Sequence, residues 1–388
     1  MSQPYALPQT DPLLPDDSFE PLPPRAYTAQ DWFDREQDLI FDRCWQFAGL
    51  VADLPEPKSY LCTKAGRHPL IVLRGEDGEL RAFHNICRHR GAQLLEGEGT
   101  LQSAIVCPYH SWGYALDGRL KGVPQQQFFP GLCKDSLGLK PAACRVWNGA
   151  IFVHPDPDAE PLEDWLGGFP DRAGPHRLEE LVEVLNQRYE IAANWKIYVE
   201  NFLDTYHLWH LHSKSLGDYL DYSLLSWDFL GPHWVSHLPL SNPEQVDTSE
   251  LPLIAGIPPS QRGVFSHLLF PNFGIVADAT SWSSLHVLPV APDRTILELR
   301  VLGDRSAAPG GLGKAVRRLY EAVTPKAETA DPNDWKSGDL MQEDIVACEA
   351  IQRAIGSPAF ELGPLAEHIE SPIAGFQQRL LNRLSAEA

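Results

Sequence analysis

The sequence predicts an α+β protein: an all-β N-terminal domain, then a domain in which helices cover one antiparallel sheet. Three observations carry that expectation. Residues 45–155 break into short β-prone runs separated by turn residues. The runs at 232–240, 264–276, 281–290 and 294–302 alternate or are rich in β-formers, as the strands of one antiparallel sheet would be. Segments 314–323, 334–355 and 373–384 have helical periodicity instead.

In chain order, the first 26 residues hold seven prolines and several acids, so residues 1–27 are expected as an extended or disordered arm. Thr28 suits an N-cap, and Trp32, Phe33, Glu36, Leu39, Ile40 and Phe41 space as an amphipathic helix. Residues 28–44 are therefore expected as a helix packing on the C-terminal domain. The all-β domain takes 45–155, ending near Ile151-Phe152-Val153, and Asp156, Pro157, Asp158 and Pro161 mark its exit. Residues 156–388 make the second domain, where Arg188-Tyr189-Glu190-Ile191 gives a strand before a helix.

At 388 residues there is ample core for two domains or one large one. A net charge of −20 argues against nucleic-acid or anionic-membrane partners, which favour basic patches, and suits a cationic substrate or a basic redox partner. No stretch approaches the roughly 18–20 apolar residues of a membrane span, and the N-terminus lacks a charged-then-apolar signal. A cytoplasmic location is expected. Cys44, Cys62, Cys133, Cys144 and Cys348 have no paired spacing, which suits free thiols in a reducing compartment. There are no internal repeats.

Two motifs carry chemistry. Cys87-Arg88-His89 and Cys107-Pro108-Tyr109-His110 each pair one thiolate with one imidazole. Two sulfur and two nitrogen ligands suit a Rieske [2Fe–2S] centre, with two Cys on one iron and two His on the other. A structural zinc site could use the same four donors, but zinc fingers usually pair Cys with Cys and His with His. Arg81–Ile86 alternates as a strand into the first pair, and Ala104-Ile105-Val106 runs into the second. Gly91, Gly97, Gly99, Gly113 and Gly118 are expected at turns where positive φ is cheap. Ser111 and Trp112 are candidates to donate to a sulfur and shield it.

The second motif runs from Asn194 to His212 with no Pro or Gly before Gly217 and reads as helical. Glu200, Asp204 and His207 then share a face. His207 and His212, five apart, lie about 140° apart on an ideal helix. For both to reach one ion, the helix must kink, bulge or end near His210. Two His and a carboxylate form the facial triad of non-haem Fe(II) oxygenases.

Residues 84–118 and the Asn194–His212 stretch resemble the catalytic α-subunits of the Rieske non-haem iron oxygenases, the ring-hydroxylating family. In length the chain is closest to the homotrimeric choline- and betaine-type monooxygenases. The resemblance implies a helix-grip catalytic domain and a [2Fe–2S] cluster on Cys87, His89, Cys107 and His110. It also implies a mononuclear Fe(II) on His207 and His212. The segment from Met341 to Gln352 resembles the family's C-terminal helix, whose pattern makes Asp344 the third ligand, with Glu343 as the fallback and Asp339 and Glu349 weaker alternatives. Asp204 would bridge His207 to His110 of a neighbouring subunit in a head-to-tail trimer, and Asn201 is counted with it as a catalytic candidate. Electrons would come singly from a separate NAD(P)H-dependent reductase, with or without a ferredoxin, and O₂ is the co-substrate. The chain has no GxGxxG fingerprint opening a helix of its own.

For the substrate, the first expectation is hydroxylation or N-demethylation of a small quaternary-ammonium compound held by an aromatic cage. Trp209, Tyr219, Tyr222, Trp227 and Trp282 are its candidates; Phe265, His267, Phe270, Phe273 and Ile275 are expected along the same pocket. Oxidation of an aromatic ring or aromatic acid is the alternative. A non-catalytic Rieske electron carrier is more remote.

Overall fold

A computed structural model describes residues 21–215, 224–240, 242–307, 335–367 and 369–385. The chain divides into two compact units, one of residues 37–165 and one comprising the rest.

The smaller unit is all β apart from short helical turns. Its strands are β1 (Gln46–Leu50), β2 (Ser59–Ala65), β3 (His68–Arg74), β4 (Leu80–His84), β5 (Glu98–Thr100), β6 (Ile105–Val106), β7 (Gly113–Tyr114), β8 (Leu120–Gly122), β9 (Pro141–Trp147) and β10 (Ala150–His154). Seven form an antiparallel sheet in the order β1-β10-β9-β4-β3-β2-β5, and β6-β7-β8 form a second, small sheet. β3 is apolar on both faces because it divides two cores. Leu70 and Val72 pack with Ala82, Ile151 and Val153. Ile71 and Leu73 pack with Phe83, Cys87, Cys107, Trp112 and Tyr114. The second core is the floor beneath both Cys-His motifs. Gly91, Gly97 and Gly118 take positive φ as expected, whereas Gly99 and Gly113 do not and lie in β5 and β7. Gly118 is doubly constrained, since any Cβ there would strike the Phe83 ring.

The larger unit carries one seven-stranded antiparallel sheet. β11 (Leu181–Ile191), β12 (Ser226–Leu230), β13 (His233–Pro239), β14 (Gly263–Leu269), β15 (Phe273–Ala277), β16 (Ser281–Ala291) and β17 (Arg294–Asp304) lie in the order β11-β17-β16-β15-β14-β13-β12. The expected run 264–276 is thus two strands. Among the described residues the helices are α1 (Arg25–Thr28), α2 (Gln30–Leu39), α3 (Leu162–Leu166), α4 (Trp195–Leu203), α5 (Leu208–Leu211), α6 (Leu340–Ile355) and α7 (Ser371–Ser385). α4 packs against α6, α7 and β16. The helix expected at 314–323 lies outside the described residues.

The N-terminal expectations need two corrections. Thr28 is not an N-cap: it ends α1, its hydroxyl donating to the Pro24 carbonyl at 3.2 Å, and α2 opens at Gln30. Residues 21–27 are not a loose arm. Leu22 N–H donates to Gln377 Oε1 at 3.0 Å, and the Tyr27 hydroxyl donates to Glu200 Oε1 at 2.7 Å. Burial of Leu22 and Tyr27 outweighs the local proline content. Residues 1–20 lie outside the described residues.

Candidate active site

The two Cys-His motifs fold into loops with the same hydrogen-bond pattern. Cys87 N–H donates to the Ala92 carbonyl and Gly91 N–H to the Cys87 carbonyl, at 2.8 and 3.0 Å. Cys107 N–H donates to the Trp112 carbonyl and Ser111 N–H to the Cys107 carbonyl, at 2.9 and 3.0 Å. The left-handed residue is Gly91 (φ 76°) in one loop and Ser111 (φ 56°) in the other. A CxH spacing gives the first loop its ligands and CxxH the second, on one backbone template.

Cys87 and Cys107 are buried, and the His89 and His110 rings lie 4.7 Å apart. His89 stacks on Trp112 at 4.7 Å with its plane tilted by 6°. Its Nδ1 is buried with no hydrogen-bond partner. Burial, then the neighbouring His110 and Arg90, push its pKa down, which favours the neutral imidazole that metal ligation requires. Of the two residues expected to serve the sulfurs, Trp112 shields by stacking on His89. The hydroxyl beside Cys87 is Tyr114, missed in the sequence. It accepts from Arg88 N–H at 2.9 Å and shares a hydrogen bond with Cys87 Sγ at 3.3 Å. Asn85 braces the first loop, accepting from Leu94 and Leu95 N–H and donating to the Leu95 carbonyl. Thiolate and imidazole donors converging from paired loops over a dry floor fit a Rieske cluster.

The second ligand set forms where a helix breaks. Asn194 caps α4 by accepting from Lys196 N–H at 3.1 Å. The interruption expected near His210 is present, but it begins earlier, at Asp204. Asp204 turns extended (φ −78°, ψ 117°), and the chain re-enters helix only for α5. His207 stands at the start of that turn and His212 at its end. The break replaces the 140° separation of a continuous helix with converging rings, 5.0 Å apart and with Nε2 atoms 3.2 Å apart. Asp344 of α6 brings Oδ1 within 3.0 Å of His212 Nε2 and 3.5 Å of His207 Nε2. Among the described residues this is the one group of three or more His, Cys, Asp or Glu placed to hold a metal ion.

Each histidine is gripped from behind. Asp204 Oδ2 lies 3.0 Å from His207 Nδ1. Glu343 Oε2 lies 2.8 Å from His212 Nδ1, and also accepts from the Ser215 hydroxyl at 2.7 Å. Glu343 is fully buried and takes a further bond from Gly338 N–H at 2.9 Å. It is therefore a support behind His212 and not the fallback ligand. Asp339 caps α6, and Glu349 accepts from Ala192 N–H at 3.0 Å, so neither joins the group. Glu200 leaves the expected shared face, bonding Tyr27 and Gln377 instead. Burial alone would lower the pKa of His207, but its bonds to Asp204 and Asp344 outweigh that and raise it to about 9. His212 is raised by the same balance, and the two imidazoles hold Asp344 below the usual carboxylate range despite its burial. The arrangement favours positive charge at its centre, and fits a divalent cation.

A cavity of about 540 Å³ opens beside these ligands, lined by His207, His212 and Asp344 together with Asn201 and Asp204. Trp234, Phe202, Tyr189 and Tyr198 supply its aromatic wall. Most of the expected cage residues are elsewhere. Phe265, Phe273 and Trp282 lie on the opposite face of the sheet, as do His267 and Ile275, because side chains alternate along a strand. Their neighbours Val264, Ser266, Val276 and Ser283 are the ones that face the cavity. Phe270 packs on Phe376. Trp209 is 65% exposed, and Trp227 sits on β12 against Phe229 outside the cavity. Tyr219 and Tyr222 lie outside the described residues. Trp234 was legible only as part of a β-prone run.

The family model of the ring-hydroxylating alpha subunit catalytic domain matches residues 178–386, and that of the Rieske [2Fe-2S] domain matches residues 44–132. The chain is 28% identical over 381 residues to the chloroplastic choline monooxygenase of Atriplex hortensis, covering 94% of this chain and 78% of that protein. It is 28% identical over 410 residues to the glycine betaine monooxygenase oxygenase subunit of Chromohalobacter salexigens, covering 95% and 87%. Among solved structures, a quaternary ammonium Rieske monooxygenase superposes with a TM-score of 0.79 at 22% identity, over 94% of this chain and 95% of that one. Naphthalene 1,2-dioxygenase from Rhodococcus superposes with a TM-score of 0.76 at 23% identity, over 96% of each chain. Fold likeness therefore spans members with ammonium and with aromatic substrates.

Proposed function

The chain belongs to the ring-hydroxylating alpha-subunit family of Rieske non-haem iron oxygenases, and from that premise we propose that it hydroxylates or N-demethylates a small quaternary-ammonium compound. The observation that carries the proposal is the aromatic wall of Trp234, Phe202, Tyr189 and Tyr198 in the same cavity as His207, His212 and Asp344. Ring faces attract a quaternary ammonium without needing a hydrogen bond, by about 0.5–2 kcal/mol each. The curated relatives named for choline and glycine betaine support the same substrate class.

In this proposal His207, His212 and Asp344 hold the mononuclear iron, and Cys87, His89, Cys107 and His110 hold the [2Fe–2S] cluster. When bound, the cluster supplies electrons one at a time and the iron supplies an O₂-binding site. Asp204 and Glu343 accept from the two Nδ1–H groups, which fixes the tautomer and turns each Nε2 lone pair inward. Asp204, 19% exposed, is the carboxylate we put forward to reach His110 of a second copy in a trimer. A relative named as an oxygenase subunit supports a separate reductase as electron donor.

The test is product analysis. Iron-replete protein, chemically reduced and exposed to O₂ with quaternary ammonium compounds and aromatic acids, should release formaldehyde or add one hydroxyl to an ammonium compound. An oxidised aromatic ring, with the ammonium compounds untouched, would overturn the proposal.

A further inference from the structure

We infer that the cavity selects an alkyl- or hydroxyalkyl-ammonium cation without a carboxylate, such as choline, over zwitterions such as glycine betaine or carnitine; the inference rests on the quaternary-ammonium reading above. Choline differs from glycine betaine at the end away from the ammonium, where one has a hydroxymethyl and the other a carboxylate. A site that prefers the carboxylate must neutralise it, and Arg or Lys ordinarily does so.

Among the described residues, the lining contains Asp204, Glu250, Asp278, Asp339 and Asp344 and no Lys or Arg. Asp344 and Asp204 together would offset a divalent iron. Of the other three, Asp339 accepts from Gln342 N–H, Asp278 accepts from Thr280 and Ser281, and Glu250 is exposed, so the lining keeps a negative balance with no cation against it among the described residues. Described cations close along the chain are turned elsewhere, Arg188 among them, since alternation along β11 sends it to the face opposite Gln187 and Tyr189. Arg300 lies between two lining residues of β17, Leu299 and Val301, so alternation sends it to the other face, where it pairs with Glu183 at 2.6 Å. Lys214 donates to the Lys336 carbonyl at 2.6 Å, and Lys336 Nζ sits 3.4 Å from His210 Nδ1.

The remaining polar lining is neutral. Gln187, Ser236, Ser266 and Ser283 come from four strands of the sheet. The Ser236 hydroxyl donates to the Ser266 carbonyl at 3.0 Å. Such groups satisfy a substrate hydroxyl. They do not repay the desolvation of a carboxylate brought among other carboxylates, where the charged form is doubly disfavoured.

The experiment is calorimetric titration of the purified holoenzyme with choline, tetramethylammonium, glycine betaine, L-carnitine and benzoate. Choline and tetramethylammonium should each bind at least about tenfold more tightly than either zwitterion, a difference of about 1.4 kcal/mol. Equal or tighter binding of glycine betaine or carnitine overturns the inference and leaves the ammonium reading standing. Binding of benzoate alone, or of no ammonium compound, overturns both. A variant works from the other side. Gln187→Arg, which adds a cation to the lining, should shift the ratio of choline to glycine betaine affinity at least about tenfold toward betaine. An unchanged ratio in a folded Gln187→Arg protein would show that charge in the lining does not set selectivity.

Discussion

A carboxylate stands behind each of His207 and His212 and fixes how its ring is turned. Glu343 stands next to Asp344 in sequence, and the acidic pair alone does not say which side chain faces the metal. The fold assigns them opposite jobs: Asp344 points Oδ1 at both Nε2 atoms, and Glu343 holds the far side of His212. Glu343→Gln keeps the size and one acceptor but loses the charge that strengthens the imidazole as a donor. Such changes typically cost about 10–100-fold in metal affinity. Competition with a ferrous chelator should show that loss, while the visible absorption of the Rieske cluster stays unchanged. Iron retention equal to the parent would remove Glu343 from the site. The candidate ligands on the two loops and the two histidines stood out in the sequence, because CxH, CxxH and two histidines five apart are local patterns, whereas Asp344 was picked from the acidic pair only through the family resemblance. Tyr114 and Glu343 were not, since a hydroxyl near a sulfur or an acid behind an imidazole follows from how loops and helices meet.

At the scale of the element, one β-strand register separates a pocket residue from a core residue. The aromatic residues of β14, β15 and β16 drew attention in the sequence, yet the alternation places them behind the sheet. There Phe265 packs among His176, His237 and His267. The cavity face of the same strands is built from Val, Ser and Leu, and its tryptophan comes from β13. A period-2 pattern reveals two faces but does not say which one a helix will cover and which one will border an active site. The two faces should therefore separate on mutation. Trp234→Leu should raise KM for the ammonium substrate by about 3–30-fold, the equivalent of losing roughly 0.5–2 kcal/mol of cation–π attraction. Phe265→Leu should leave KM within twofold and lower unfolding stability by about 1 kcal/mol, the usual cost of a modest loss of buried volume. Steady-state kinetics and urea melts on both variants decide the matter; a large KM change in Phe265→Leu would mean the faces have been assigned wrongly. The break between α4 and α5 has the same origin. Spacing alone demanded an interruption near the second histidine; the fold places it at Asp204, whose own carboxylate holds His207 while Glu343 and Asp344 of α6 hold His212.

Across the larger unit, the helix that precedes His207 and His212 is moored through side chains that are far apart in sequence. Lys196 and Glu36 form a fully buried pair at 2.6 Å, and Trp195 Nε1 donates to the same carboxylate at 2.9 Å. Glu200 accepts from Tyr27 and Gln377, which themselves share a bond of 3.1 Å. These partners are up to 350 residues apart, so no local pattern could announce them, and α4 reads in the sequence only as an amphipathic segment with awkward charges. Desolvation is the largest influence on Glu200; it outweighs the bonds from Tyr27 and Gln377 and raises its pKa to about 7. Its ordinary value is 4.5. Between these values the folded protein keeps a proton that the unfolded chain releases, so stability falls as pH rises from 4.5 through about 7. The full shift corresponds to at most about 3 kcal/mol. Glu200→Gln retains an oxygen to accept both bonds but cannot ionise. Its stability should therefore fall less than that of the parent over the same window, with the two proteins diverging most near neutral pH. Urea denaturation of both proteins at intervals from pH 5 to 8 measures that difference directly. Parallel curves would mean that Glu200 is ionised throughout, held so by Lys196, and that the mooring of α4 is indifferent to pH.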